Sequence, residues 1–186
     1  MSARQRTIRT STAMTGRGLH TGEHCRLALH PAAPNTGIVF FSGDGEVPAD
    51  IRFVHGTLRG TTLRNGDVEV HTVEHLLAAL AGTAVHNVRV EVQGAEIPIG
   101  DGSSLPYVEM IDSAGAVEQD AELAVRRLDR PVWVSEGDKY LLATPAETTR
   151  ITELIGFAHP MIGEQAVSLT VDPDTFRSEI APARTF

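Results

Sequence analysis

The sequence predicts an α+β fold, and three observations point to it. Short alternating apolar segments of strand type recur along the chain. The pair Asn65-Gly66 joins two of them as a tight turn. Two further stretches, 72–82 and about 105–114, carry helical start and stop residues.

The elements follow in order. Thr7 to Ala13 alternates weakly and reads as a strand ended by the Gly16-Arg-Gly18 turn. Cys25-Arg-Leu-Ala-Leu-His30 puts Cys25, Leu27 and Leu29 on one face, and Pro31 closes it. Gly37-Ile-Val-Phe-Phe41 is a buried-type strand after the Pro34-Asn35 turn. Thr61 to Arg64 and Asp67 to Val70 flank Asn65-Gly66, where both turn positions suit positive φ. In the helix that follows, Thr72 is the expected N-cap and Glu74 lies in the first turn, where the helix dipole favours negative charge. Gly82 is the stop, and Leu76, Leu77 and Leu80 form the apolar face. Val88, Val90 and Val92 alternate as a strand. Asp101-Gly-Ser-Ser is a second capping cluster, and its helix ends at Gly115. Gly115 to Glu122 is small, acidic and weakly patterned, which places a domain boundary there. Residues 1–118 form the expected first domain, 119–123 a linker and 124–186 the start of a second domain. In the last, Pro131 to Ser135, Lys139 to Thr144, Ile151 to Phe157 and Ala166 to Val171 read as strands, and Asp172-Pro173 caps a short helix to about Ile180.

Composition narrows the function classes. The chain has 186 residues, 41% hydrophobic and 22% charged, which is ordinary globular usage. A formal charge of −8 argues against nucleic acid and anionic membranes as partners, since both select basic patches. The lone Cys25 excludes an internal disulfide framework and suits a reducing compartment. Residues 1–7 lack the apolar core of a signal peptide, and no apolar run reaches the roughly 20 residues that span a bilayer. The expectation is a cytoplasmic protein that is not an integral membrane protein.

The candidate chemistry centres on Glu74 and His75. A carboxylate beside an imidazole is the pair a zinc hydrolase uses, the imidazole holding the ion and the carboxylate taking a proton from its water. A helix-dipole carboxylate and a core histidine explain the same two residues, and the peptide alone leans toward that plainer reading. His71-Thr-Val-Glu74-His75 also spells H-x-x-E-H, the order of inverted zinc peptidases, which need both histidines one turn apart on a helix. With Thr72 as cap, His71 falls outside the helix. His20 and His24 flank Gly22 in a turn and read as exposed polar loop residues. His30, His55, His86 and His159 are isolated. Asp101 and Ser103 read as caps, because no base and no nucleophile-elbow glycines accompany them.

Several peptides taken together resemble one family, the zinc-dependent UDP-3-O-acyl-N-acetylglucosamine deacetylases of lipid A biosynthesis. They are Gln5-Arg-Thr-Ile, Gly18-Leu-His-Thr-Gly22, Pro34-Asn-Thr-Gly37, Thr72-Val-Glu-His-Leu-Leu-Ala-Ala-Leu-Ala-Gly82, Glu96-Ile-Pro-Ile-Gly-Asp-Gly-Ser103 and Ala183-Arg-Thr-Phe186. Singly most are weak; jointly, in order and at compatible spacing, they are specific. The resemblance implies two α+β domains of similar topology, each a sheet layered against helices, with Zn2+ and a UDP-acyl-glucosamine nucleotide sugar between them. It makes His75 a zinc ligand and Glu74 the general base. It also implies substrate contacts at Leu58, Thr185 and Phe186. The family's other zinc ligands, a His and an Asp on a later helix, and a further His that protonates the leaving amine, lie beyond the Ala-Arg-Thr-Phe peptide. The expectation is therefore a C-terminally truncated member whose second domain is incomplete. A non-catalytic remnant of the same fold and an inverted-type zinc peptidase are the competing readings.

Overall fold

The computed structural model describes residues 3–185. The chain divides into two compact units, Met1–Leu123 with Phe176–Phe186, and Ala124–Thr175.

The first unit is built on a five-stranded sheet. Its strands are β2 (Thr12–Arg17), β3 (His24–Pro31), β4 (Ile38–Ser42), β5 (Gly45–Pro48) and β9 (Val88–Gln93), in the order β2-β3-β9-β4-β5. All neighbours are antiparallel except β4 and β9. Alternation sets the faces: Val88, Val90 and Val92 of β9 point into the core with Leu27 and Leu29 of β3. The intervening Arg89 and Glu91 face outward, where Arg89 stacks 4.8 Å over the Phe41 ring and Glu91 meets Arg26.

Helices α1 (Glu74–Gly82) and α2 (Leu105–Ala114) supply the other half of the same apolar cluster. α1 buries Leu76, Ala79 and Leu80, with Leu77 only partly covered, so Ala79 takes a place expected of a leucine. α2 buries Tyr107, Val108, Met110, Ile111 and Ala114 and ends at Gly115, whose φ of 69° only glycine adopts cheaply. A sheet packed on helices bears out the α+β class. Among the described residues no helix is long and apolar enough to cross a membrane.

A smaller sheet, β6 (Val54–Gly56), β7 (Thr62–Asn65) and β8 (Val68–Val70), leads into α1. The expected hairpin forms, but its turn is shifted by one residue. Asn65 pairs with Val68, so Gly66-Asp67 are the turn residues and only Gly66, φ 59°, is left-handed.

The expected linker differs too. Ala116–Glu122 is strand β10, antiparallel to β1 (Arg4–Ile8), in register from Ile8↔Ala116 to Arg6↔Glu118, with a bulge before Arg4↔Glu122. Its exposure alternates, so a two-residue period was present behind the small and acidic composition. Buried amides lock this edge. Asn87 donates to Gln5 and Gln119 and accepts from the Gly37 N–H, while Gln5 also bonds Asn35. Asn87→Leu would strand three of these partners, and a loss of about 1–3 kcal/mol is expected on urea unfolding.

The second unit holds two hairpins, β11 (Val132–Glu136) with β12 (Lys139–Ala143) and β13 (Arg150–Gly156) with β14 (Glu164–Thr170). None of their residues is buried, and Trp133, Tyr140 and Leu141 are more than 70% exposed. The tail departs from the expected 124–186 grouping. Phe176 and Ala181 are buried in the core of the first unit.

Candidate active site

The site is built where β8 ends and α1 begins. His71 makes a bridge to Glu96, and its ring lies 3.0 Å from the Thr62 hydroxyl and 3.3 Å from Glu69. The helix starts at Glu74, so His71 and His75 do not share a helix face. That removes the geometry an inverted zinc peptidase requires.

Thr72 does not cap the helix. The cap position falls to Val73, which makes no side-chain bond, and Thr72 adopts φ 60° while almost fully buried. A β-branched residue in the left-handed region is held there by its surroundings. Its hydroxyl is not free for capping because it donates at 2.7 Å to Glu96 Oε1.

Glu96 is the residue that sequence reasoning missed. It is 1% exposed and accepts from the Leu19, His20 and Thr21 N–H groups and from the Thr21 and Thr72 hydroxyls at 2.7–3.2 Å. Burial alone would raise its pKa, but the bonds from Thr21, Thr72 and His20 outweigh it and hold the carboxyl at about 2. The sign follows. A depressed pKa contributes stability above the unfolded value, on the order of 3 kcal/mol at neutral pH. Melting curves are expected to lose it as pH falls from 4.5 towards about 2, and Glu96→Gln should flatten that part of the profile.

Glu74 and His75 open α1. Glu74 is half-buried, and its Oε2 accepts from the Thr61 N–H at 2.8 Å, while the Val73 N–H donates to Thr61 O at 3.2 Å. The loop before β7 is thereby fastened to the helix start. His20 joins from the β2–β3 turn, its Nε2 donating to Arg59 O at 3.0 Å. Gly60 lies between these groups: a Cβ there would stand 3.4 Å from Glu74 Oε1 and 3.6 Å from both His20 Nε2 and Thr72 Oγ1. The sequence correctly made His20 an exposed turn residue; only the fold shows that the turn bonds the loop fastened to Glu74.

The His75 ring is half-buried and makes no hydrogen bond or ion pair with any described residue. Leu58 is 90% exposed in the loop that Thr61 anchors. Thr185 is exposed, and its N–H donates to Gly102 O at 3.0 Å, next to Asp101 and Ser103. These two do form a cap-like pair: Asp101 accepts from the Ser103 N–H and hydroxyl, and Ser103 Oγ accepts from the Leu105 N–H. Phe186 lies outside the described residues.

Comparison with known proteins shows the family. The model of the UDP-3-O-acyl N-acetylglycosamine deacetylase family matches residues 5–186. The chain belongs to this family. A UDP-3-O-acyl-N-acetylglucosamine deacetylase of Chlamydia pneumoniae is 43% identical over 98% of the chain and 67% of its own length. That of Pseudomonas entomophila is 44% identical over 98% of the chain and 62% of its own length. The chain thus spans about two thirds of the family members it resembles.

The donor chemistry fits one corner of a metal centre. His75 offers an unengaged imidazole nitrogen with a carboxylate beside it. Among the described residues no three His, Cys, Asp or Glu side chains converge to hold an ion. A catalytic zinc normally keeps three protein ligands, so His75 can be one contributor and not the whole site.

Proposed function

We propose that these 186 residues serve, within a longer protein, a zinc-dependent hydrolase that removes the N-acetyl group from UDP-3-O-acyl-N-acetylglucosamine in lipid A biosynthesis. The observation that carries this reading is the unengaged His75 imidazole, next in sequence to Glu74 at the first turn of α1, in a chain of the deacetylase family. His75 would be one ligand of the zinc. When bound, the ion lowers the pKa of its water and polarises the acetamide carbonyl.

The chain's own groups do the rest of what can be assigned here. Glu74 removes a proton, and its bond from the Thr61 N–H fixes one oxygen and leaves the other to act. The loop carrying Leu58, anchored through Thr61, forms a wall for the nucleotide sugar. Thr185, whose N–H is bonded to Gly102 O, contacts the same substrate, as does Phe186. The reaction is cytoplasmic, the partner a small molecule.

A non-catalytic remnant of the same fold is the second reading, favoured by the lack of a three-ligand group among the described residues. Reading the coding sequence past codon 186 separates the two. An in-frame helix with H-x-x-x-D supports the enzyme, and a stop supports the remnant. For the enzyme, acetate release from the nucleotide sugar should cease with a zinc chelator and return with Zn2+. Release that the chelator does not touch contradicts the proposal.

A further inference from the structure

We propose that Glu96 is a positioning residue for this site, one buried carboxylate that fixes both the turn carrying His20 and the left-handed Thr72 from which Glu74 and His75 are launched. The catalytic consequence rests on the deacetylase reading; the geometric one does not.

Two segments far apart in sequence meet on this one group. The turn at 19–21 gives it three N–H groups and a hydroxyl, and Thr72 gives it a hydroxyl. The segment after β9 that bears Glu96 is itself held, through the bridge to His71 and through the buried Tyr107 hydroxyl, which donates to Pro98 O. The fit leaves no slack: a Cβ on Gly18 would lie 2.2 Å from Glu96 Oε2 and 2.4 Å from Thr21 Oγ1.

The direction of α1 depends on Thr72. A φ of 60° turns the chain sharply between the end of β8 and the helix, and an unrestrained threonine would return to negative φ. The 2.7 Å bond to Glu96 opposes that return. If Thr72 relaxed, Val73 would shift against Thr61, and Glu74 and His75 would re-aim together. His20 would move with its turn, loosening its bond to Arg59 O and so the loop that holds Leu58. One carboxylate therefore sets the mutual placement of base, ligand and substrate wall. A misplacement of about 1 Å in such a constellation costs on the order of 100-fold in rate.

Side-chain NMR of the histidines in the 186-residue chain tests this without any need for activity. In Glu96→Gln, one partner oxygen becomes an NH2 that faces N–H donors, so the cluster must rearrange. The His20 and His75 ring signals and the Thr61 amide are expected to shift, while His159 in the other unit and His30 on the outer sheet face stay. A folded Glu96→Gln with His20 and His75 at their wild-type positions overturns the proposal. Should that variant not fold, Thr72 variants decide. Thr72→Ser keeps the donor and should leave His75 unmoved, Thr72→Val removes it and should move it, and equal spectra overturn the proposal. In a protein that releases acetate, Glu96→Gln should lower kcat by about 10–100-fold, whatever rise in KM the loosened Leu58 loop adds. A KM effect at unchanged kcat contradicts the proposal. Wild-type protein that releases no acetate counts against the deacetylase reading alone, and the NMR result still stands.

Discussion

Replacing Glu74 by Gln is expected to lower kcat for acetate release by about 10²–10⁴-fold, the range that loss of a positioned base produces. The substitution isolates chemistry from structure. A Gln Oε1 can still accept the Thr61 N–H that Glu74 Oε2 accepts now, so the loop stays fastened to α1. Glu74 is only half-buried and bonds no other described side chain, so the variant should unfold within about 0.5 kcal/mol of wild type. His75 keeps its unengaged ring, and zinc content should hold. A kcat that survives this change would mean that the carboxylate is no more than a helix-dipole partner.

The second large effect concerns stability. Phe176→Ala is expected to destabilise the first unit by about 3–5 kcal/mol, as for other buried aromatic truncations. Its ring, 4% exposed, covers the end of α1 so closely that a Cβ on Gly82 would lie 2.2 Å from its carbons. Gly82→Ala should therefore act in the same direction, although alanine is the better helix former. Beyond Phe176 the tail is held by the buried Ala181, the Arg177–Asp112 ion pair and the Thr185 N–H bond to Gly102 O. Loss of the ring should speed hydrogen exchange at Thr185 as well as lower the urea midpoint. A loss below about 1 kcal/mol would show that the tail contributes little to the core.

Local signals were readable and long-range ones were not. The Val88-Val90-Val92 alternation, Gly115 at the end of α2 and the hairpin near Gly66 all express preferences that reside in the residues themselves. Glu74 and His75 were legible for the same reason, being adjacent in sequence at a helix start. Thr72 misled, because its capping tendency is local while the bond that wins comes from Glu96, 24 residues away. Glu96 itself carries no sign in sequence that it will be buried, since an acidic residue before Ile-Pro reads as surface. Only the closure of the β2–β3 turn upon it supplies enough N–H groups to remove a carboxylate from water. Residues 119–123 read as linker because alanine and acidic residues favour no strand. Pairing with β1 and the Gln119–Asn87 bond overrode that preference. His20 lacked any spacing cue, because a turn and a helix meet there from different parts of the chain.

Metal analysis of the longer protein, wild type against His75→Ala, bears most directly on the account. The wild type is expected to hold one zinc per chain, and His75→Ala to lose most of it while remaining folded, since the ring makes no hydrogen bond or ion pair with any described residue. Equal zinc in both proteins would contradict the assignment of His75 and, with it, the role given to Glu74.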